Sequence, residues 1–152
     1  MDLEYYDKAH AAIRPDMDLE SKRVCLKQFI AHLCNHNRAD KLIEFDYGDM
    51  IQDVFQNLYH RAFASDIRTQ DYFVVLYALH IKNKDYRKAA FCMYFNATKL
   101  KQELNGIKSL VKQEKCLLAC INALKIVDSK YAWIFVPRDI RDAKLGKIKF
   151  LI

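Results

Sequence analysis

Apolar and polar positions alternate at helical spacing over most of the chain, and the pattern breaks at Tyr72 to Ile81, where ten consecutive residues carry no formal charge with His80 taken as neutral. A segment apolar almost all the way round needs cover on every side. Its β-branched and aromatic residues would also suit a buried strand, so length and flanks decide. Thr69 is a plausible N-cap, Asp71 stands in the first turn and Lys82 and Lys84 follow the run, each where the helix dipole favours its charge. The expectation is a helix from about Thr69 to Lys82. After a turn at Asn83 to Asp85, apolar or small residues recur at Tyr86, Ala90, Met93, Ala97, Leu100 and Leu104, which is one face of a second helix. Asn105-Gly106 is expected to stop it, glycine supplying the left-handed residue past the helix end. The two helices form a hairpin, with Tyr86 and Ala90 turned toward Phe73 and Tyr77.

The same reading extends outward. Leu3 to Ile13 suits a short helix halted by Arg14-Pro15. Asp18 caps a helix that buries Leu19, Leu26, Phe29, Ile30 and Leu33. Ala39 to Phe45 reads as a shorter helix with Leu42 and Ile43 inward. Asp49 is the expected cap of the next, whose buried stripe is Ile51, Val54, Leu58 and Ala62. A long helix from Gly106 to about Val127 should bury Leu110, Leu117, Ile121 and Leu124. Tyr131 to Val136 is a compact apolar patch closed by Pro137. With only three glycines and two prolines, little material is left for hairpins or bulges, so the fold class is all-α. Seven helices joined by short turns point to an irregular α-solenoid of stacked antiparallel helix pairs. The expected division is a solenoid segment over residues 1–136 and a basic, loosely held tail over 137–152.

Composition narrows the function classes. Hydrophobic residues make up 52% and charged residues 29%, and no apolar run reaches the roughly eighteen residues of a membrane span. Five cysteines leave one unpaired in any disulfide framework, and the start Met-Asp-Leu-Glu has no signal-peptide character, so a reducing compartment, cytosol or nucleus, is expected. The net charge of +6 is uneven: residues 1–81 hold nine basic against thirteen acidic residues, and residues 82–115 nine against three. A nucleic-acid binder would set stacking aromatics among its basic residues, and here the aromatics sit on apolar faces. Direct nucleic-acid binding is therefore the weakest of three readings, behind a scaffold segment and a free-standing helical-repeat adaptor.

Candidate chemistry is sparse. His32 and His36 share a helical face, but Cys34 between them points away from both, so the spacing does not make a zinc site. Cys116 and Cys120 lie among Leu117, Leu118, Ala119 and Ile121 and read as small core residues. Glu44, Asp46, Asp49 and Asp53 follow the pattern of turns and caps rather than a converging pair. His60 and His80 have no recognisable nucleophile partner, and Gly48, Gly106 and Gly146 stand alone, which leaves no phosphate loop. No enzyme, cofactor, metal or small-molecule substrate is expected. Candidate partner contacts are Trp133 and Phe135, apolar at the chain's far end, with Arg138, Arg141, Lys144 and Lys147 of the tail.

Five blocks taken in order carry a resemblance: Leu42-Ile-Glu-Phe-Asp-Tyr, Tyr72-Phe through Leu76-Tyr-Ala-Leu-His-Ile, Asp85-Tyr-Arg-Lys-Ala-Ala, Cys116-Leu-Leu-Ala-Cys-Ile-Asn-Ala-Leu and Tyr131-Ala-Trp-Ile. Together they are similar to a segment of the nucleoporin-160 family, from about Ala9 to Val136. The resemblance implies a scaffold protein of the nuclear pore's Y-shaped outer-ring complex, in which a β-propeller precedes an α-helical solenoid. This chain would represent solenoid only, as a short form or a piece of something longer. It further implies location at the nuclear envelope, other scaffold nucleoporins as partners, support of mRNA and protein transport, and no catalytic residues.

Overall fold

The computed structural model describes residues 18–134, and every regular element among them is helical. There are five α-helices: α1 (Leu19–Asn35), α2 (Ile51–Ala64), α3 (Tyr72–Lys82), α4 (Tyr86–Glu103) and α5 (Ile107–Ile126). Two short 3-10 turns, Ala39–Ile43 and Gly48–Met50, lie between α1 and α2. Of the seven helices expected, Leu3 to Ile13 falls outside the described residues. Ala39 to Phe45 is a 3-10 turn rather than an α-helix. The chain divides into two compact units, residues 1–58 and 59–152.

In the first unit, Asp18 caps α1 as its sequence position suggests. Its carboxylate accepts from the Ser21 amide at 2.7 Å and from the Ser21 hydroxyl at 2.6 Å, which holds its pKa below the usual carboxylate value. Leu26, Phe29, Ile30 and Leu33 are buried, whereas Leu19 is exposed. The helix ends on Asn37, whose positive φ lets the Arg38 amide reach back to Leu33 O. The 3-10 turn then buries Ala39 and Leu42, and Phe45 meets Phe29 edge-on with ring centroids 5.3 Å apart. Tyr47 donates to Leu42 O at 2.9 Å, and burial raises its pKa. Asp49 is not the cap of α2. It lies inside the Gly48–Met50 turn, and Asp46 instead accepts from the Gly48 amide. Asp53, in the first turn of α2, pairs with Arg23 at 3.3 Å.

The second unit contains the hairpin α3–α4. Its cap is Asp71 rather than Thr69: the Asp71 carboxylate accepts from the Val74 amide and from Asn96 on α4, while the Thr69 hydroxyl donates to Asp66 O. Tyr72, Phe73, Val75, Leu76, Leu79 and His80 are buried, but Val74 is half exposed, so α3 is not covered on all sides. The turn to α4 passes through Lys84 at φ 59, a left-handed residue that closes the Asp85 amide onto His80 O at 2.9 Å. Asp85 then caps α4 through the Lys88 amide. Phe63, Phe73, Phe91 and Phe95 pack as an aromatic group, the Phe91 and Phe95 centroids 4.4 Å apart. Lys99 ties the end of α2 to α4, donating to Ala62 O at 2.7 Å and also to Ser65 O.

Glycine 106 does not end α4 as a left-handed C-terminal residue. The last turn of α4 closes on Leu104 in extended geometry, and Gly106, at φ 101, is the N-cap residue of α5. Ser109 seals the corner, its hydroxyl 3.3 Å from both Leu100 O and Leu104 O while accepting from Gln113.

Candidate interaction surface

The packing of α5 on α4 decides which side of α5 is left open. Ala89, Ala90 and Met93 of α4 form a buried cluster with Cys120 and Ala123 of α5, joined at its rim by Tyr77, Ile81, Cys116, Ala119, Leu124 and Ile134. These α5 residues are small, and small side chains let two helix backbones approach closely. Burial pushes the Cys116 thiol up to about 11 and also raises Cys120, so both remain neutral core groups.

This reverses the stripe expected from sequence. Leu110 is 62% exposed, Leu117 43% and Ile121 49%; only Leu124 is partly buried. The reason is that α5 has two apolar faces, and periodicity marks the one with the larger residues. Contact with Ala89 and Ala90 selects the other, because leucines there would hold the helices apart. Ile107, Val111 and Leu118 join the open side. Lys108, Lys112 and Lys115 are exposed beside it.

Of the expected partner contacts, Trp133 is more than half exposed, with the Arg87 guanidinium 5.1 Å from its ring centroid. Phe135, Arg138, Arg141, Lys144 and Lys147 lie outside the described residues. The expected sites of chemistry stay apart. The His32 and His36 ring centroids are 4.2 Å apart, Cys34 is buried, and among the described residues no three His, Cys, Asp or Glu side chains are grouped to hold a metal. Glu44 pairs with Lys41, Asp46 holds a turn and Asp53 pairs with Arg23. His60 is exposed on α2. No described helix is long and apolar enough to cross a membrane.

One buried polar group escaped the sequence reading. Tyr59 places its hydroxyl 2.9 Å from His80 Nε2 and 3.2 Å from Cys92 Sγ. Burial lowers His80 to about 4, against a partial upward pull from Asp85, and raises Cys92 to about 12. A nucleophilic cysteine needs thiolate character and access, and this thiol has neither. The three residues come from three helices separated by at least twelve positions, so no local motif announces them.

A model of the NUP160/120 middle TPR family matches residues 1–126. The chain is 34% identical over 137 residues to the mouse nuclear pore complex protein Nup160, a match covering 90% of this chain and 10% of that protein. It is 30% identical over 138 residues to the Nup160 homolog of Drosophila melanogaster, again 90% and 10%. Nucleoporin nup120 of Schizosaccharomyces pombe is 25% identical over 138 residues, covering 86% of this chain and 12% of its own length. The chain thus spans about a tenth of the length of these curated relatives. On this match, which includes the α3–α4 hairpin and all of α5, the chain belongs to the NUP160/120 middle TPR family.

Proposed function

We propose that this chain is a scaffold segment of the nuclear pore complex's outer ring, an irregular α-solenoid piece that supports nucleocytoplasmic transport by holding other scaffold nucleoporins. The observation that carries the reading is the open apolar side of α5 in a chain whose relatives are nuclear pore complex proteins. In a solenoid each helical pair buries its outer face on a neighbour, so an apolar face of this composition is built for contact. The buried state of Cys92 and His80 supports a chain with no catalytic role. The lysines of α5 stand beside leucine and isoleucine rather than stacking aromatics, which favours a protein partner over nucleic acid. In this reading residues 1–136 form the solenoid segment and 137–152 a basic tail. Proximity labelling from a tagged copy in cells tests it: labelled nucleoporins and signal at the nuclear rim are expected. A labelling pattern equal to that of a diffuse control would overturn it.

A further inference from the structure

The corner between α4 and α5 is built on a dipeptide with chemistry of its own. Leu104 leaves α4 in extended geometry and Gly106 opens α5 at φ 101, a conformation that residues with a Cβ rarely adopt, so the turn demands glycine. The residue before it is Asn105. Both are exposed, and no atom beyond the chain neighbours lies within 4 Å of where a Cβ on Gly106 would stand. Among the described residues neither the Gly106 amide nor the Asn105 carboxamide makes a hydrogen bond. The other six asparagines of the chain are held differently. The amides that follow Asn35, Asn37 and Asn83 donate to His32 O, Leu33 O and Ile81 O. Asn57, Asn96 and Asn122 lie inside α2, α4 and α5, where the next amide belongs to the helical ladder.

We propose that Asn105 is a site of spontaneous deamidation through a succinimide, and that its isoaspartate product loosens the first turn of α5. The Gly106 nitrogen gives up its proton and attacks Asn105 Cγ. The new C–N bond closes the ring, the Cγ–Nδ2 bond breaks, and the displaced nitrogen leaves as ammonia with a proton in place of the one lost. A side chain on residue 106 would crowd the attacking nitrogen, and glycine has none. Water then opens the ring at either carbonyl. Opening at Cγ gives aspartate and restores the backbone, whereas opening at the main-chain carbonyl gives isoaspartate, whose backbone runs through Cβ and is longer by one carbon. Nothing is oxidised or reduced, and water is the only reagent, so the reaction is independent of the scaffold reading. The products meet the corner differently. Aspartate places a carboxylate just before the N-terminus of α5, where the helix dipole favours an anion. Isoaspartate moves Gly106 relative to Leu104. Gly106 O accepts from the Ser109 and Leu110 amides at 3.1 and 3.2 Å, while the Ser109 hydroxyl lies 3.3 Å from both Leu100 O and Leu104 O on the other side of residue 105. A longer link strains one set of bonds or the other.

The test incubates the full chain at mildly alkaline pH and physiological temperature, and peptide mapping by mass spectrometry follows every asparagine. Asn105 should convert at least about tenfold faster than any other, since each of the other following amides must first break a hydrogen bond worth about that factor. The rate should rise with pH, because the attacking nitrogen must lose its proton. It should nearly equal the rate in the urea-unfolded chain, because no hydrogen bond holds the Gly106 amide. Asn105→Gln replaces an exposed side chain and would have to close a larger ring, so it should stop conversion at this position while circular dichroism stays helical. Chains carrying isoaspartate should exchange the Ser109 and Leu110 amides faster than Asn105→Asp, which is the other product made by mutation. Conversion at Asn105 no faster than at the other asparagines overturns the proposal. So does conversion slower by about tenfold or more in the folded chain than in urea, which would mean that the corner protects the pair. Equal amide exchange in the two products overturns the loosened turn.

Discussion

Acid should destabilise this protein through His80 before most of its carboxylates respond. His80 is fully buried between α3 and its neighbours, with Tyr59 O–H at 2.9 Å from Nε2, and burial lowers its pKa from 6.5 to about 4 although Asp85 pulls the other way. Lys88 adds a smaller downward push. The folded-state value is thus below the unfolded one, so the unfolded chain binds this proton first and stability falls as pH falls. The contribution is fully present above the unfolded pKa of 6.5 and is lost as pH drops through about 4. With a shift of that size the whole effect is about 3 kcal/mol, of which about 2 kcal/mol is gone by about pH 5. That is a large share of the stability of a small domain. Urea midpoints from neutral pH to about pH 5 for the native chain and for His80→Gln, which cannot titrate, isolate the effect, because carboxylate contributions cancel in the difference. The native chain should lose more stability than His80→Gln by about 2 kcal/mol over that range. Parallel pH profiles for the two would refute the reasoning. If the glutamine variant does not fold, the ring proton of His80 followed by NMR in the native chain serves instead, and a midpoint near 6.5 gives the same refutation.

Three further outcomes are expected. Ala90→Asp buries a carboxylate in the α4–α5 cluster and should cost more than about 3 kcal/mol, whereas Leu117→Asp on the open side should change stability by less than about 0.5 kcal/mol; thermal midpoints by circular dichroism compare them. Asp71→Ala should cost about 1–2 kcal/mol by chemical denaturation, through the lost cap and the lost Asn96 bond, and Thr69→Ala clearly less. Lys99→Met keeps the aliphatic stem but removes the donor to Ala62 O and Ser65 O, so it should cost about 1–3 kcal/mol and speed amide exchange in the last turn of α2.

The helical fold class, the α3–α4 hairpin and the Asp18 cap were legible because each depends on residues within about one helical turn. So was the small-residue role of Cys116 and Cys120. The cap at Thr69 was misplaced because two candidates lie two residues apart, and Asn96, twenty-five positions away, favours Asp71. Lys84 in a left-handed turn carried no signal, since glycine or asparagine is the residue normally read there.

What the sequence determined by itself is the all-helical class, the order of the five α-helices among the described residues and, through five short blocks, the family. All of these follow from local periodicity, capping chemistry and residue identity. Only the tertiary structure decided which of two apolar faces of α5 is inside. That choice is made by Ala89 and Ala90, which lie on a different helix and admit Cys120 and Ala123 where leucine would not fit. It also brought Tyr59, His80 and Cys92 together from three helices. Hydrophobicity ranks residues by how strongly they avoid water, but close packing ranks them by shape against a partner, and the partner is not a local property of the chain.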